Sequence, residues 1–534
     1  MRKIRQKSYG LHKNAFELIV VGGVTGIFAG LIVTVYNILV HHAEALARDW
    51  YAVVRSNPAW IPLLLLVLLL GGFFIGVLVR ISSVIRGCGI PQAEGATRGI
   101  VPLKWFRDMT AMFAASLLSV LMGLSIGAEG PSVLIGACAG DGVADTLKRD
   151  RLVRKYQATG GACAGLAVAS NAPLTGMAFA FEEAYKRFTP EVFICSFSSV
   201  IFGILTRTLV YSALGMEMQS AFHSFVFHEL PLSNYLFAVG AGLVSGVLGV
   251  AFYKLCFVMR GLFKKIRFPK EGYTYIVRIT AAILIGGAIS LLAAAVMGGG
   301  HGFIESLGTA GGTKPSATES VFGLPIVWTL IVVLLLKLLV TSVNVGSGLP
   351  CGIFIPILAI GACVGGALNR LWLALGMDAA YCDLMIMICM AAVFTAIIRA
   401  PITAIVMICE LTGSFAPLLP VIIAVSIGYM IGELFYAEGI YEKLLEEYEH
   451  ESGIHERAVV EVFVFTVASG AMADRRAVRD VLWPAGARVK EVSRGDEHIL
   501  PDGDTVLCRG DVVTVVCKTA EHEKVKEELA HIFG

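Results

Sequence analysis

Between Asp108 and Asp141 the chain carries a single charged residue, Glu129, inside an apolar run that extends from about 109 to 147. A helix crosses the hydrocarbon of a bilayer in about 20 residues. This run is therefore too long for one span and must break or turn back. The break is written into Gly127-Ala-Glu-Gly-Pro131, because glycine and proline interrupt a helix on both sides of the carboxylate. Irregular backbone at membrane depth is tolerated only where protein buries it or where it lines a water-filled path. A carboxylate at that depth costs several kcal/mol (about 2.5–3.5 kcal/mol at the low end) unless it faces a cavity, a partner or a proton. Glu129 is therefore the first candidate functional residue.

The rest of the composition agrees with a membrane chain. Of 534 residues, 56% are hydrophobic and 16% charged, against about 25% charged in soluble domains. The net charge of +2 says nothing about nucleic acid, and no nucleic acid polymer is expected as a partner. The 12 cysteines follow no disulfide or zinc spacing, and several, such as Cys138, Cys163, Cys363 and Cys409, lie in apolar runs as small packing residues. No nucleophile–base pair, metal cluster or phosphate loop is visible, so an enzyme is not expected. Basic residues Arg2, Lys3, Arg5, Lys7 and Lys13 precede a first apolar stretch too long for a signal peptide, which places the N-terminus in the cytoplasm by the positive-inside rule.

Apolar stretches run near 16–40, 59–81, 109–147, 157–185, 190–213, 232–259, 274–298, 326–345, 350–374, 381–412 and 416–436. The 381–412 stretch is also too long for one span. Polar loops are expected near 41–58, 214–231 and 299–325, the last a surface loop around Gly299-Gly-His-Gly302. Two pairs of segments recur in the same order. Pro131 to Gly140 matches Pro356 to Gly365 at Ile-Gly-Ala-Cys-x-Gly, and Ala172-Pro-Leu-Thr175 with Glu182 matches Ala400-Pro-Ile-Thr403 with Glu410. Two pairs in register argue for a duplicated membrane domain, with halves of about 15–230 and 232–450, whose broken helices present their ends to one central site. Glu129 and Phe354 each stand two residues before the matched prolines and should face one another near the bilayer centre.

Three glycine-rich breaks precede expected helix starts: Gly87-Cys-Gly-Ile-Pro91, Gly127 to Pro131, and Gly346-Ser-Gly-Leu-Pro-Cys-Gly-Ile-Phe-Ile-Pro356. A helix start presents unpaired N–H groups and about half a positive charge, which suits an anion. Several together could hold a chloride-sized anion without a buried Arg or Lys. A cation site would need carbonyl ends or rings of carboxylates, and intramembrane carboxylates are few.

These motifs, with the tyrosine of Gly439-Ile-Tyr-Glu-Lys-Leu-Leu445, resemble the CLC family of chloride channels and transporters, bacterial type, over about 15–450. The resemblance implies an all-α polytopic membrane protein with an inverted repeat of broken and re-entrant helices. It also implies a homodimer in the inner (plasma) membrane with a separate chloride pathway in each subunit. Glu129 matches the external gating glutamate, which competes with chloride and takes protons from outside. Cys88 and Gly89, together with Ile353 and Phe354, match the chloride-binding motifs, and Tyr441 matches the inner gate. Glu183, in Phe179-Ala-Phe-Glu-Glu-Ala184, matches the inner proton-relay glutamate of the proton-coupled members. Glu182, Glu183 and Glu410 also read as helix-end charges near water. Retaining Glu129 and Glu183 favours a chloride/proton exchanger, with a passive anion channel as the alternative. Two positions depart from the family pattern. Cys88 stands where a serine is usual, which puts chloride preference over other anions in question. Ala128 stands where a basic residue is often found, which weakens the field at the outer mouth.

From about 456 the chain turns charged and contains no stretch of spanning length. Strands are expected at Val459 to Thr466, Arg488 to Val492 and Thr505 to Cys517, with helices at Ala473 to Trp483 and Ala520 to Phe533. The segment from Leu500 resembles the TrkA-C domain found at the end of regulators of potassium conductance. Such a domain implies a small cytoplasmic α+β module. Similar domains dimerise and some bind small ligands, including cyclic dinucleotides. No other cofactor is expected.

Overall fold

The structure, a computed structural model, describes residues 2–149, 151–186, 188–216, 222, 224–268, 271–308, 325–415, 418–435, 438–452, 460–481, 483–484, 487–495, 497–518 and 522–534. The chain divides into two compact units, Met1–Lys443 and Leu444–Gly534.

The first unit is helical: α1 (Arg2–Ser56), α2 (Ile61–Ile81), α3 (Ile90–Arg98), α4 (Trp105–Leu121), α5 (Glu129–Thr146), α6 (Arg151–Ser170), α7 (Pro173–Phe179), α8 (Pro190–Ala213), α9 (Tyr235–Lys264), α10 (Glu271–Leu292), α11 (His301–Glu305), α12 (Ile326–Ser347), α13 (Phe354–Ala374), α14 (Cys382–Ile398), α15 (Pro401–Thr412) and α16 (Leu418–Leu434), with α17 (Ile440–Glu451) beginning in this unit. Among the described residues, eight helices are long and apolar enough to cross a bilayer. Both over-long runs break as their glycines and prolines require: the first splits into α4 and α5 and the second into α14 and α15. The 157–185 stretch, read as continuous, is also broken, at Asn171-Ala172-Pro173. Asn171 and Arg399 both adopt positive φ, and Ala172 and Ala400, each before a proline, both lie outside the helical region.

The repeat has a packing reason. Lipid supplies no hydrophobic drive between helices, so their interfaces need small residues that let backbones close in. In the first copy, a Cβ on Gly136 or Gly140 would overlap the carbonyls of Gly161 or Gln157 on α6. In the second copy, a Cβ on Gly361 or Gly365 would come within 2.5 Å of the Cα of Met390 or Ile386 on α14. The glycines of Ile-Gly-Ala-Cys-x-Gly are thus the contact points in both halves.

The second matched pair closes the halves on one another. The Glu182 carboxylate accepts the N–H groups of Ile402 (2.8 Å) and Thr403 (2.6 Å) and the Thr403 hydroxyl (2.7 Å). The Glu410 carboxylate accepts from Leu174 (2.7 Å), Thr175 (2.7 Å) and the Thr175 hydroxyl (2.6 Å). Each glutamate caps the first turn of the partner repeat's helix, where free N–H groups and the helix dipole favour a negative charge. Both carboxylates are therefore helix caps. Such a reciprocal exchange is what an inverted repeat with an approximate twofold produces.

Two of the expected loops are structured. Residues 41–56 continue α1 without interruption, because their polar side chains come with no Gly or Pro before Pro58. Gly299 to Gly302 is not a surface loop: Gly299 and Gly300 are buried and His301 opens α11. Residues 217–221 and 309–324, within two of the expected loops, lie outside the described residues.

The second unit carries a four-stranded antiparallel sheet in the order β1-β4-β2-β3, formed by β1 (Val460–Thr466), β2 (Arg488–Arg494), β3 (Glu497–Ile499) and β4 (Val512–Lys518), followed by α18 (His522–Phe533). Its core gathers Val467, Val492, Leu507, Val513, Val515, Leu529 and Phe533. The helix expected at Ala473 to Trp483 is absent apart from one turn at Val478–Asp480. Arg475 (φ 61°) donates to the Leu507 carbonyl at 2.8 Å and Val478 to that of Thr505 at 2.9 Å. An 11-residue helix is marginal alone, and pairing with the 503–507 segment outcompetes it. The same pairing shortens the expected 505–517 strand to β4.

Asp511, buried to 1% side-chain exposure, accepts from Arg494 (2.9 and 2.8 Å) and from the Cys508 N–H (2.8 Å). The Arg494 hydrogen bonds hold its carboxyl below the usual range. A depressed folded value means this stabilisation is present above the ordinary carboxylate range, near pH 4, and is lost as pH falls through the folded value. Because Arg494 is 44% exposed, Asp511→Asn should cost only about 1–2 kcal/mol at pH 7. It should also flatten the acid limb below about pH 4, read by hydrogen exchange of the β4 amides in the full-length protein.

Candidate functional site

All three glycine-rich breaks end at helix starts, α3, α5 and α13, and these starts meet. Gly127 and Gly352 form an isolated antiparallel bridge, Gly127 N–H to Gly352 carbonyl at 2.8 Å and the reverse at 3.1 Å. Gly87 N–H reaches the Gly348 carbonyl at 3.1 Å, and Cys351 N–H reaches the Gly87 carbonyl at 3.3 Å. Glycine is required where they touch. A Cβ on Gly130 would overlap the Cys88 carbonyl and one on Gly352 would overlap that of Gly127, while one on Gly89 would stand 2.7 Å from the Gly130 carbonyl. Gly89 also holds φ at +88°, a conformation L side chains rarely adopt. The bridge lies two residues before both Glu129 and Phe354, so the expected juxtaposition of the two helix starts is present.

Cys88, Glu129, Ile353, Phe354 and Tyr441 are all buried. The N–H groups of Glu129, Gly130, Ile353 and Phe354 have no acceptor among the described residues. The Tyr441 hydroxyl and Glu129 Oε2 are likewise buried without a hydrogen-bond partner among them. Tyr441 stands within electrostatic reach of Cys88, Glu183, Glu94 and Glu129. The Phe354 ring packs edge-on against Phe394 at 4.8 Å. Glu129 folds back over its own helix start, so that a Cβ on Gly127 would lie 2.6 Å from Oε2. A buried cluster of unmatched donors around one carboxylate is chemically suited to an anion of about the size of a carboxylate oxygen pair or smaller.

Glu183 lies apart from this cluster, in the π-helical turn Ala180–Ala184 that follows α7. It is buried beside Glu94 of α3, and the two carboxyl groups interact directly. Glu94 pairs with Arg98 at 3.4 Å. Glu442, the residue after Tyr441, pairs with Lys186 at 2.9 Å and with Arg98 at 3.9 Å. Two like carboxyls buried together repel one another when both are ionised.

Three residues escaped the sequence reading. Glu94 sits three residues past the proline of the first break's helix, where its neighbour Glu183 is invisible from spacing. Lys337 of α12 is fully buried, its Nζ 3.3 Å from Ser125 Oγ and 3.4 Å from the carbonyls of Val296, Gly298 and Gly299. A buried lysine thus binds the turn that precedes α11, close to the converging helix starts. As a lone charge in the 326–345 run, Lys337 carried the same signal as Glu129. The third is His301, whose Nε2 lies 3.4 Å from Glu129 Oε1. It lay in the segment read as surface loop.

The architecture and the site define an inverted-repeat membrane protein whose broken helices point their N-termini at one buried carboxylate. Residues 71–433 match the family model described as voltage gated chloride channel, and residues 462–530 match the TrkA-C domain. The chain belongs to the voltage-gated chloride channel (CLC) family. It is 30% identical over 449 residues to the H(+)/Cl(-) exchange transporter ClcA of Vibrio cholerae, covering 81% of this chain and 90% of that one. It is 28% identical over 447 residues to the protein of the same name in Yersinia pestis, covering 81% and 88%. Among solved structures, it resembles a slow cyanobacterial Cl-/H+ antiporter at TM-score 0.72 and 25% identity, covering 82% of this chain and 99% of that one. A CLC-type fluoride/proton antiporter shares the fold at TM-score 0.59 and 21% identity, covering 80% and 97%.

The packing at Gly130 makes a direct prediction. Gly130→Ala should destabilise the protein by about 1–3 kcal/mol or more through overpacking, seen as a lower thermal midpoint in detergent. Gly261→Ala, with nothing within 4 Å of the added methyl, should leave the midpoint unchanged or raise it slightly.

Proposed function

We propose that this protein exchanges chloride for protons across the membrane. The observation that carries the reading is the convergence of three helix starts on the buried Glu129 carboxylate, with unmatched N–H groups at the starts of α5 and α13. In this reading chloride rests against Cys88, Gly89 and the amides of Ile353 and Phe354, with Tyr441 closing the inner end. Chloride and an ionised Glu129 want the same donors. Two unit negative charges about 4 Å apart repel by about 4 kcal/mol at an effective dielectric of 20, so the two states exclude one another. Protonating Glu129 removes the repulsion and frees its donors for the anion. Anion occupancy and proton occupancy are then coupled by electrostatics alone.

Glu183 serves as the inner proton station in this scheme, sharing a proton with Glu94. The Lys186–Glu442–Arg98 chain ties the helix carrying Tyr441 to both carboxylates, so inner closure and proton access move together. Support for exchange over passive conduction comes from the named exchangers among the relatives and from the retention of both glutamates. Cys88 offers a thiol, a weaker donor than a hydroxyl, so discrimination among halides and nitrate should rest on the backbone amides. The protein works as a homodimer in the plasma membrane with both termini in the cytoplasm. The TrkA-C unit adjusts transport there, with a small ligand such as a cyclic dinucleotide as the candidate effector.

In proteoliposomes, an outward chloride gradient should drive protons uphill in the opposite sense. Glu129→Gln and Glu183→Gln should each reduce coupled proton movement to below about a tenth of wild type, while chloride still moves in at least one of them. Chloride flux without protons in the wild type would leave a passive channel as the correct description.

A further inference from the structure

A cavity is lined by His301 and not by Glu129. The cavity, of about 390 Å³, is walled by Glu44, Arg48 and Arg55 of α1, by the 292–298 turn and by His301. The His301 side chain is 40% exposed, whereas that of Glu129 is 2% exposed. Among the described residues, the His301 ring is the titratable side chain that hydrogen-bonds Glu129, Nε2 to Oε1 at 3.4 Å.

The cavity's side of the membrane follows from α1. Glu17, near its N-terminal end, pairs with Arg149, in a basic layer with Arg154 and Lys155. The cavity touches the other end of the same helix, residues 44–55. With the N-terminus cytoplasmic by the positive-inside rule, the cavity opens outward.

The ring is held in place. Gly298 and Gly300 adopt positive φ (65° and 107°), the Gly298 N–H bonds the Leu124 carbonyl at 3.0 Å, and the Gly299 N–H bonds Glu44 at 3.2 Å. Lys337 gathers the carbonyls of that turn from below. The Phe222 ring covers the imidazole at a centroid distance of 6.0 Å. The charged groups facing this corner are Glu44, Arg48 and Arg55 from α1, Glu305 from α11, Lys337 from α12 and Glu129 from α5. Glu305 is engaged by the Ser224 N–H at 2.9 Å and Glu44 by Gly299. Each of these carboxylates gives one oxygen to a backbone N–H, whereas His301 both lines the cavity and hydrogen-bonds Glu129.

We propose that His301 is the outer proton port of Glu129. An imidazolium at His301 gives the proton on Nε2 to the Glu129 carboxylate, leaving neutral imidazole and a carboxylic acid, and water in the cavity reprotonates the ring. This rests on the reading of Glu129 as a proton-carrying gate. Imidazole titrates near pH 6.5 and so supplies a proton donor at pH values where free hydronium is scarce. Protonated His301 also adds a positive charge at the mouth that Ala128 does not.

The test uses full-length protein in liposomes, with chloride-driven proton transport recorded at external pH from 5.5 to 8.5. His301→Ala and His301→Gln should slow turnover at least about tenfold above pH 7 and much less near pH 5.5, where hydronium reaches Glu129 directly. Gln keeps an N–H donor but cannot titrate, so the two variants should share one profile. Millimolar imidazole in the outer bath should restore the Ala variant and not the Gln variant. Either variant keeping the wild-type profile overturns the proposal. So does an equal loss at every pH with no imidazole rescue, which marks a structural role. A wild type that moves chloride without protons overturns the exchanger reading and the port with it. A coupled wild type with indifferent variants overturns the port alone.

Discussion

Everything at the centre of this protein depends on three helix starts coming within van der Waals contact without a side chain between them. Gly89, Gly130 and Gly352 are each blocked from carrying a Cβ by a neighbouring carbonyl or Cα. A methyl at any one would push a helix start away and spread its N–H groups apart. Anion binding at helix N-termini weakens within a turn, so the field at the centre is created by the convergence. The Gly127–Gly352 bridge fixes the register of two of the starts, which come from opposite halves of the chain.

The same economy governs the periphery of the site. The halves need to be held together where the lipid gives no hydrophobic incentive, and two carboxylates do it by capping helices of the opposite repeat. Glu182 and Glu410 are thereby consumed structurally, while Glu183, one residue on from Glu182, turns into protein and meets Glu94. Adjacent residues on a helical turn point about 100° apart, and both glutamates lie in the π-helical turn Ala180–Ala184. Two neighbouring glutamates thus enter different environments, one capped by amides and one sharing its surroundings with another carboxyl.

On the outer side a second set of constraints meets at one loop. Lys337 of α12, Glu44 of α1 and Leu124 of the connection between α4 and α5 all bind the 296–299 backbone. That grip places the His301 ring between water and Glu129. A buried lysine bound only to neutral oxygens is costly in isolation, and its retention is intelligible as the tie that orders this turn.

Sequence alone determined that the chain spans a membrane, that its over-long apolar runs break, and that the breaks recur in two halves. These features are local: hydrophobic length, glycine and proline, and the spacing of identical segments act along the chain. Glu129, Cys88 and Phe354 were legible because they sit inside those breaks, whereas Tyr441 was picked out by the family resemblance alone. Only the tertiary structure decided which carboxylates cap helices and which face another acid, since Glu182 and Glu183 differ by one residue in sequence and by their whole surroundings in space. It also placed Glu94, Lys337 and His301, whose partners lie 89, 212 and 172 residues away. The physical reason is that a local pattern reports what a segment does to its own backbone, whereas a buried charge or ring acquires its role from neighbours that the pattern does not contain.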